Sequence, residues 1–224
     1  MRLGARDDDI DAHIVCERHQ SRATQCRRCC ANCRHANSCD VDPDWQSIET
    51  PRLILRTLPQ PALEALTAGD RAEASRLSHC DLSAFPDDQL SIAAVRLKDV
   101  GDDPDYLPWS LRAMALKPGL RFVGHFNFHS KPNADYLKEL APGAVEMGYY
   151  VLPEFRRQGL AEEAALGMMD WATRAYGVAR FVISISPENG PSVAMARKLG
   201  FARIGSHIDE EDGYEDILAR DAPL

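Results

Sequence analysis

One stretch constrains this chain more than any other: a short apolar run broken at a proline, two arginines, then a long helical pattern. The run is Val145-Glu146-Met147-Gly148-Tyr149-Tyr150-Val151-Leu152, and Pro153-Glu154-Phe155-Arg156-Arg157-Gln158-Gly159 follows it. The spacing predicts a strand over 145–152 and a helix over 157–176 that stops at Gly177, a natural C-cap. Downstream, Phe181 to Ser186 is apolar and β-branched, hence a buried strand, and Ser192 to Leu199 reads as a helix stopped by Gly200. Phe201–His207 and Tyr214–Ala219 read as two last strands around an acidic turn. Upstream, Arg52–Thr57 is a first strand, and helices are expected from Pro59 to about Ala68, from Asp70 through Ser78 and from Asp87 to Val100. Trp109–Leu116 and Leu120–Phe128 form a hairpin about Lys117-Pro118-Gly119. Antiparallel strands first and a β-α-β crossing later imply an α+β fold, with a mixed, mostly antiparallel sheet of about seven strands.

The loop that opens the long helix carries chemistry. A helix N-terminus presents unpaired N–H groups and the positive end of its dipole, which together attract anions. In Arg156-x-x-Gly159-x-Ala161 the small residues leave those groups uncovered, while Arg156 and Arg157 add positive charge. A diphosphate is the natural occupant. The Gly-Lys-Ser/Thr of a nucleotide-binding P-loop and the Gly-x-Gly-x-x-Gly of a dinucleotide fold are both absent.

This loop resembles the acyl-CoA pyrophosphate loop of the GNAT acetyltransferase superfamily, whose signature is Arg/Gln-x-x-Gly-x-Gly/Ala. Pro187-Glu188-Asn189-Gly190-Pro191-Ser192, followed by Ala196-Arg197-Lys198-Leu199-Gly200-Phe201, is similar to the superfamily's next motif. Ile48-Glu49-Thr50-Pro51-Arg52-Leu53-Ile54-Leu55-Arg56 and Glu146-Met147-Gly148-Tyr149 resemble its ribosomal-protein N-terminal acetyltransferase branch, the RimJ/RimL-like enzymes. The resemblance covers about residues 48 to 220 in order and spacing. It implies a GNAT-type sheet splayed between the fourth and fifth predicted strands, and acetyl-CoA as co-substrate. It also implies an N-acetyltransferase whose acceptor is a primary amine, either a protein α-amino group or a small molecule.

Carried over by residue, the resemblance implies that the main chain of Tyr150, Val151 and Leu152 pairs with the pantetheine amides as an added strand would. The loop Arg156, Arg157, Gln158, Gly159, Leu160 and Ala161 would hold the pyrophosphate. Asn189 would bond the pantetheine arm or steer the acetyl carbonyl; the plainer reading makes it an Asx turn before Pro191. Glu146 stands where superfamily members often place a base, and a partly buried carboxylate with a raised pKa would suit that task. An exposed strand glutamate is the alternative. Many members place a tyrosine acid where this chain has Ala196, which leaves Ser192 as nearest donor to the leaving thiolate; Ser192 could equally cap its helix. The Val151 N–H would meet the oxyanion. His125 and His129 share one strand face, a candidate wall of the acceptor pocket, and stay outside the catalytic set because strand histidines are more often structural. The acidic stretch 209–212 reads as a solvated turn.

Acidic residues outnumber basic ones by 34 to 26, which argues against a sequence-independent grip on nucleic acid. No apolar run approaches the roughly 18 residues that span a bilayer, and no apolar h-region follows Met1, so a cytoplasmic protein without membrane partners is expected, as monomer or homodimer. Residues 1–47 lack apolar periodicity and hold six of the seven cysteines, with Cys26-x-x-Cys29 and Cys30-x-x-Cys33 among them. Zinc binding, disorder, or a true start near Val41 are the open readings of that extension; no metal ligand is assigned, and residues 48–224 are taken as the catalytic domain. A non-catalytic acyl-CoA-binding regulatory or interaction module is the competing function.

Overall fold

The computed structural model describes residues 46–209 and 213–222. The Cys/His-rich extension with its zinc reading, and Glu210, Glu211 and Asp212 of the acidic turn, lie outside the described residues. The elements are β1 (Ser47–Glu49), β2 (Leu53–Thr57), α1 (Gln60–Thr67), α2 (Arg71–Ser78), α3 (Leu90–Asp102), β3 (Arg112–Leu116), β4 (Arg121–Phe128), β5 (Val145–Val151), α4 (Leu160–Tyr176), β6 (Arg180–Ile185), α5 (Gly190–Lys198), β7 (Ala202–Asp209) and β8 (Gly213–Asp221).

Eight strands make one sheet in the order β1-β2-β3-β4-β5-β6-β8-β7. The strand beyond the expected set is β1, three residues that pair with Ile54–Arg56 and are too short to show alternation in the sequence. The predicted fourth and fifth strands are therefore β5 and β6. Every neighbouring pair is antiparallel except these two, which α4 joins by a crossover. Their pairing ends almost at once: Val145 faces Phe181, Glu146 faces Val182, and beyond Glu146 the strands part. β6 meanwhile keeps six residue pairs with β8, so β5 and β6 diverge in the middle of an otherwise continuous sheet.

Local chemistry explains where other boundaries moved. Pro104 and Pro108 hold Pro104–Trp109 in 3-10 turns, so β3 starts at Arg112 rather than Trp109. Asp70 caps α2 as its sequence suggests, its carboxylate accepting from the Glu73 N–H at 2.9 Å. Likewise α4 begins at Leu160, not Arg157, because Arg157 and Gly159 both take left-handed backbone angles, φ +61° and +74°.

Helix α4 buries Leu160, Ala164, Ala165, Met168, Met169, Trp171 and Ala172, one face at three- and four-residue spacing, against the sheet. At Gly167 a Cβ would lie 2.7 Å from Thr50 Cγ2, so the glycine lets the helix settle onto the β1–β2 corner. Trp109, Phe128 and Trp171 close this core edge-to-face, with Trp109 centroids 5.2 Å from each of the other two. Each large side chain so buried contributes roughly 1.5–3 kcal/mol, which anchors α4 and hence the loop at its N-terminus. On the opposite sheet face, α3 reaches the residue just past β4: the Arg96 guanidinium donates to the His129 carbonyl at 3.1 Å.

Candidate active site

The parting of β5 from β6 opens a cleft of about 880 Å³ that runs from the α4 N-terminus to α5. Tyr149, Tyr150, Val151, Arg156, Arg157, Gly159, Leu160, Ala161, Asn189 and Ser192 line it, together with Lys198. Of the expected binding residues, Leu152 and Gln158 do not reach it.

At one end the loop forms a concave cradle. Two residues with left-handed backbone angles, Arg157 and Gly159, lead into the first turn of α4, an arrangement of backbone suited to anions. Arg157 does this without being glycine, the kind of backbone strain that persists where surrounding structure enforces it. That enforcement comes from Arg52, which sequence reasoning missed. Glu163 accepts from Thr50 Oγ1 at 2.5 Å, from the Arg52 N–H at 2.7 Å and from Arg52 Nε at 2.6 Å. Arg52 Nη1 then donates to the Gln158 carbonyl at 2.9 Å, which ties the loop to β2. Gln158 contributes this carbonyl, while its side chain donates back to the Glu154 carbonyl.

Strand register decides which main-chain groups face the cleft. The Leu152 N–H donates to the Val123 carbonyl and the His129 N–H donates to the Glu146 carbonyl. In an antiparallel ladder the bonded positions alternate, so Glu146, Gly148, Tyr150 and Leu152 turn their main-chain groups to β4. This corrects the expectation that Tyr150 and Leu152 offer main-chain groups to a ligand; Tyr150 lines the cleft with its ring instead. Tyr149 and Val151 are the residues whose main chain faces the opening. The Val151 carbonyl is taken by Arg156 Nε at 2.9 Å, leaving the N–H. Arg156 also lies over the Tyr150 ring, its Cζ 5.5 Å from the centroid, so it braces the strand end.

At the other end of the cleft, Asn189 caps α5: its Oδ1 accepts from the Ser192 N–H at 3.3 Å. Ser192 is therefore not the cap, and its hydroxyl accepts from Tyr149 Oη at 3.0 Å. Burial raises the Tyr149 pKa against the lowering effect of Ser192, so the phenol keeps its proton at neutral pH. Ala196, where a tyrosine is common, is fully buried and faces the core.

Glu146 is buried on the face away from Tyr149, with its side chain 9% exposed. Ser184 Oγ on β6 donates to Oε1 at 2.5 Å, and His129 Nδ1 lies 3.6 Å from Oε2. Burial pushes this carboxyl up, but the His129 imidazole and the hydroxyls of Ser184 and Tyr136 outweigh it and hold the pKa at about 2. The expected raised pKa is thus corrected: Glu146 is a firmly ionised, weakly basic carboxylate. His125 behaves as the structural reading has it. It stacks between Phe85 and Tyr150, bonds Gln89 at 3.0 Å and is held neutral by burial, its pKa down to about 3. Among the described residues, no cluster of three metal-ligating side chains occurs, and no helix is long and apolar enough to cross a membrane.

Comparison with known proteins agrees with this geometry. Residues 52–202 match the family described as "Acetyltransferase (GNAT) domain". Similar curated proteins include two Bacillus subtilis (strain 168) chains described as uncharacterized N-acetyltransferases. One, YnaD, is 26% identical over 48% of this chain and 56% of its own length; the other, YjdG, is 24% identical over 69% and 88%. Mouse alpha/beta-tubulin-N-acetyltransferase 9 is 40% identical over 26% of this chain and 25% of its own length. The match therefore spans between a quarter and a little over half of the length of the mouse protein and YnaD. Among solved structures, the ribosomal-protein-S5-alanine acetyltransferase of Vibrio fischeri superposes with TM-score 0.53 at 17% identity, over 79% of this chain and 96% of that one. The ribosomal L7/L12 α-N-protein acetyltransferase RimL, solved with coenzyme A, gives 0.52 at 18% identity, over 79% and 98%. With two-thirds of its length in that family match and the splayed sheet in place, the chain belongs to the GNAT acetyltransferase family.

Proposed function

We propose that this protein moves an acetyl group from acetyl-CoA to a primary amine, by direct attack of the amine on the thioester. The observation that carries the reading is the cleft itself. An anion cradle at one end, an open main-chain edge along β5 and a hydroxyl pair at the other end stand in the order that diphosphate, pantetheine and thioester have in acetyl-CoA. The α4 cradle, with Arg157 beside it, receives the pyrophosphate. Val151 offers its N–H to the thioester carbonyl, and Asn189 keeps one amide nitrogen free for the pantetheine arm. Ser192 gives its proton to the leaving thiolate and is resupplied by Tyr149. The pair thus takes over the task for which Ala196 has no hydroxyl. Among the described residues, 47–222 contain every element this requires.

The test is thiol release. Purified protein mixed with acetyl-CoA and a panel of amines and peptide N-termini should release free CoA thiol only when an acceptor is present. Thermal stabilisation by acetyl-CoA without release on any acceptor would favour the non-catalytic acyl-CoA-binding module. No stabilisation and no release would overturn both readings.

A further inference from the structure

Glu146 stands where the resemblance implies a base, yet its surroundings make it a poor one, and His129 lies beside it. His129 follows β4 directly opposite Glu146, its N–H bonded to the Glu146 carbonyl at 2.8 Å. The ring therefore lies on the same sheet face as the Glu146 carboxylate. Nδ1 faces Glu146 Oε2 at 3.6 Å, and the other nitrogen, Nε2, lies over Gly148. A Cβ at Gly148 would come within 2.6 Å of Nε2, so any larger residue there would push the ring aside. Gly148 sits two residues past the last β5–β6 pair, where the sheet opens. The side chain of His129 is 39% exposed and that of Glu146 only 9%. The imidazole thus reaches solvent beside the point where the strands part, while the carboxylate stays behind it.

We infer that His129 Nε2 is the group that takes the proton from the attacking amine, with Glu146 as the positioning residue that holds the imidazole over Gly148. The inference rests on the amine-acetylation reading above and deepens it. Imidazole is the side chain suited to taking and releasing a proton near neutral pH, and a carboxylate facing its second nitrogen at ion-pair distance favours the imidazolium as it forms. Glu146 cannot easily leave that role: one oxygen is engaged by Ser184 and the carboxyl is held at about 2. In the step itself the amine nitrogen bonds to the acetyl carbon and the carbon–sulfur bond breaks. The departing N–H proton passes to His129 Nε2 and then to solvent. The sulfur receives a proton from Ser192, which Tyr149 replaces and solvent restores, so amide and free thiol form with protons balanced.

The charged and titratable groups around the imidazole come from several elements. They are Glu146 on β5, Tyr136 from the turn Asp135–Leu137, Arg96 of α3 with its Asp99 partner, and Tyr106, whose hydroxyl bonds the Phe128 carbonyl. Four of these five, all but Glu146, remain in the variant that matters, so their influence is common to both pH profiles apart from the carboxylate.

The experiment measures kcat and kcat/KM against pH for wild type, His129→Gln and Glu146→Gln with the best acceptor from the amine panel. Acetyl-CoA stabilisation of each chain checks that it is folded. His129→Gln should keep that stabilisation and lose about 10²- to 10⁴-fold in kcat, with one proton fewer in the acid limb of kcat/KM. Glu146→Gln should lose less and keep the full acid limb. In His129→Ala, added imidazole should restore part of the rate, which a purely structural histidine would not allow. Near-wild-type turnover and an unchanged profile in His129→Gln would overturn the inference, as would the whole loss appearing in Glu146→Gln alone. A wild-type chain that acetylates no amine would overturn the acetylation reading and this inference with it, a result distinct from an active His129→Gln.

Discussion

Replacing Gly159 separates what the anion cradle does for the fold from what it does for binding. Gly159 adopts φ +74° and ψ +12°, and a Cβ there would meet nothing closer than Arg52 Nη2 at 3.5 Å. Gly159→Ala therefore adds left-handed strain of roughly 1–2 kcal/mol and no clash. In a domain of this size that should lower Tm by roughly 2–8 °C, at 2–4 °C per kcal/mol. Gly159→Glu carries the same strain and also sets a carboxylate among the N–H groups. At an effective dielectric of about 20, a unit charge about 5 Å from one phosphate charge is repelled by about 3 kcal/mol, more than a hundredfold in affinity. Acetyl-CoA at about 100 times its dissociation constant should stabilise wild type by about 2.7 kcal/mol, a rise of roughly 5–11 °C. Thermal melts with and without acetyl-CoA would then show Gly159→Ala with a lowered baseline, and Gly159→Glu with that baseline and no shift. A wild-type-sized shift in Gly159→Glu would refute the assignment of the pyrophosphate to this loop.

Three further outcomes follow from the same geometry. Tyr149→Phe and Ser192→Ala should each lower kcat while leaving acetyl-CoA stabilisation intact, and the double variant should be no slower than the worse single one, since the two hydroxyls act as one unit. Glu146 has a folded pKa of about 2 against an ordinary value of 4.5, so its stabilisation of about 3 kcal/mol is full above about pH 4.5 and is lost as pH falls toward 2. Urea unfolding of Glu146→Gln should accordingly show a shallower acid decline than wild type. Removal of residues 1–43 should leave a folded chain that acetyl-CoA still stabilises; an insoluble or unresponsive product would place part of the domain earlier.

The sequence was most legible where function needs particular residue types at fixed local spacing. The Arg156-x-x-Gly159-x-Ala161 loop shows its purpose because a backbone cradle demands small residues next to a helix start. The mixed sheet was equally readable, since long apolar runs and glycine stops mark strands and helices one at a time. What escaped depends on register. His129 meets Glu146, and Tyr149 meets Ser192 across 43 positions, only because the strands align as they do. No local spacing reports either contact, although His129 falls opposite Glu146 once the β4–β5 pairing is drawn. Register parity also misdirected Tyr150 and Leu152: which neighbour a strand's amides face is set by the ladder, not by the residue type. Arg52 was hidden for a related reason, since its partner Glu163 lies 111 residues away on the helix it braces.

The most direct measurement is a crystal structure of the protein grown with acetyl-CoA. The account predicts the pyrophosphate within hydrogen-bond distance of the N–H groups between Arg157 and Ala161, with the pantetheine passing between β5 and β6 along Tyr149 and Val151. The sulfur should lie beside the Ser192 hydroxyl, and the acetyl group should open toward His129. Acetyl-CoA bound elsewhere, or lying in the cleft with its thioester directed away from both Ser192 and His129, would contradict it.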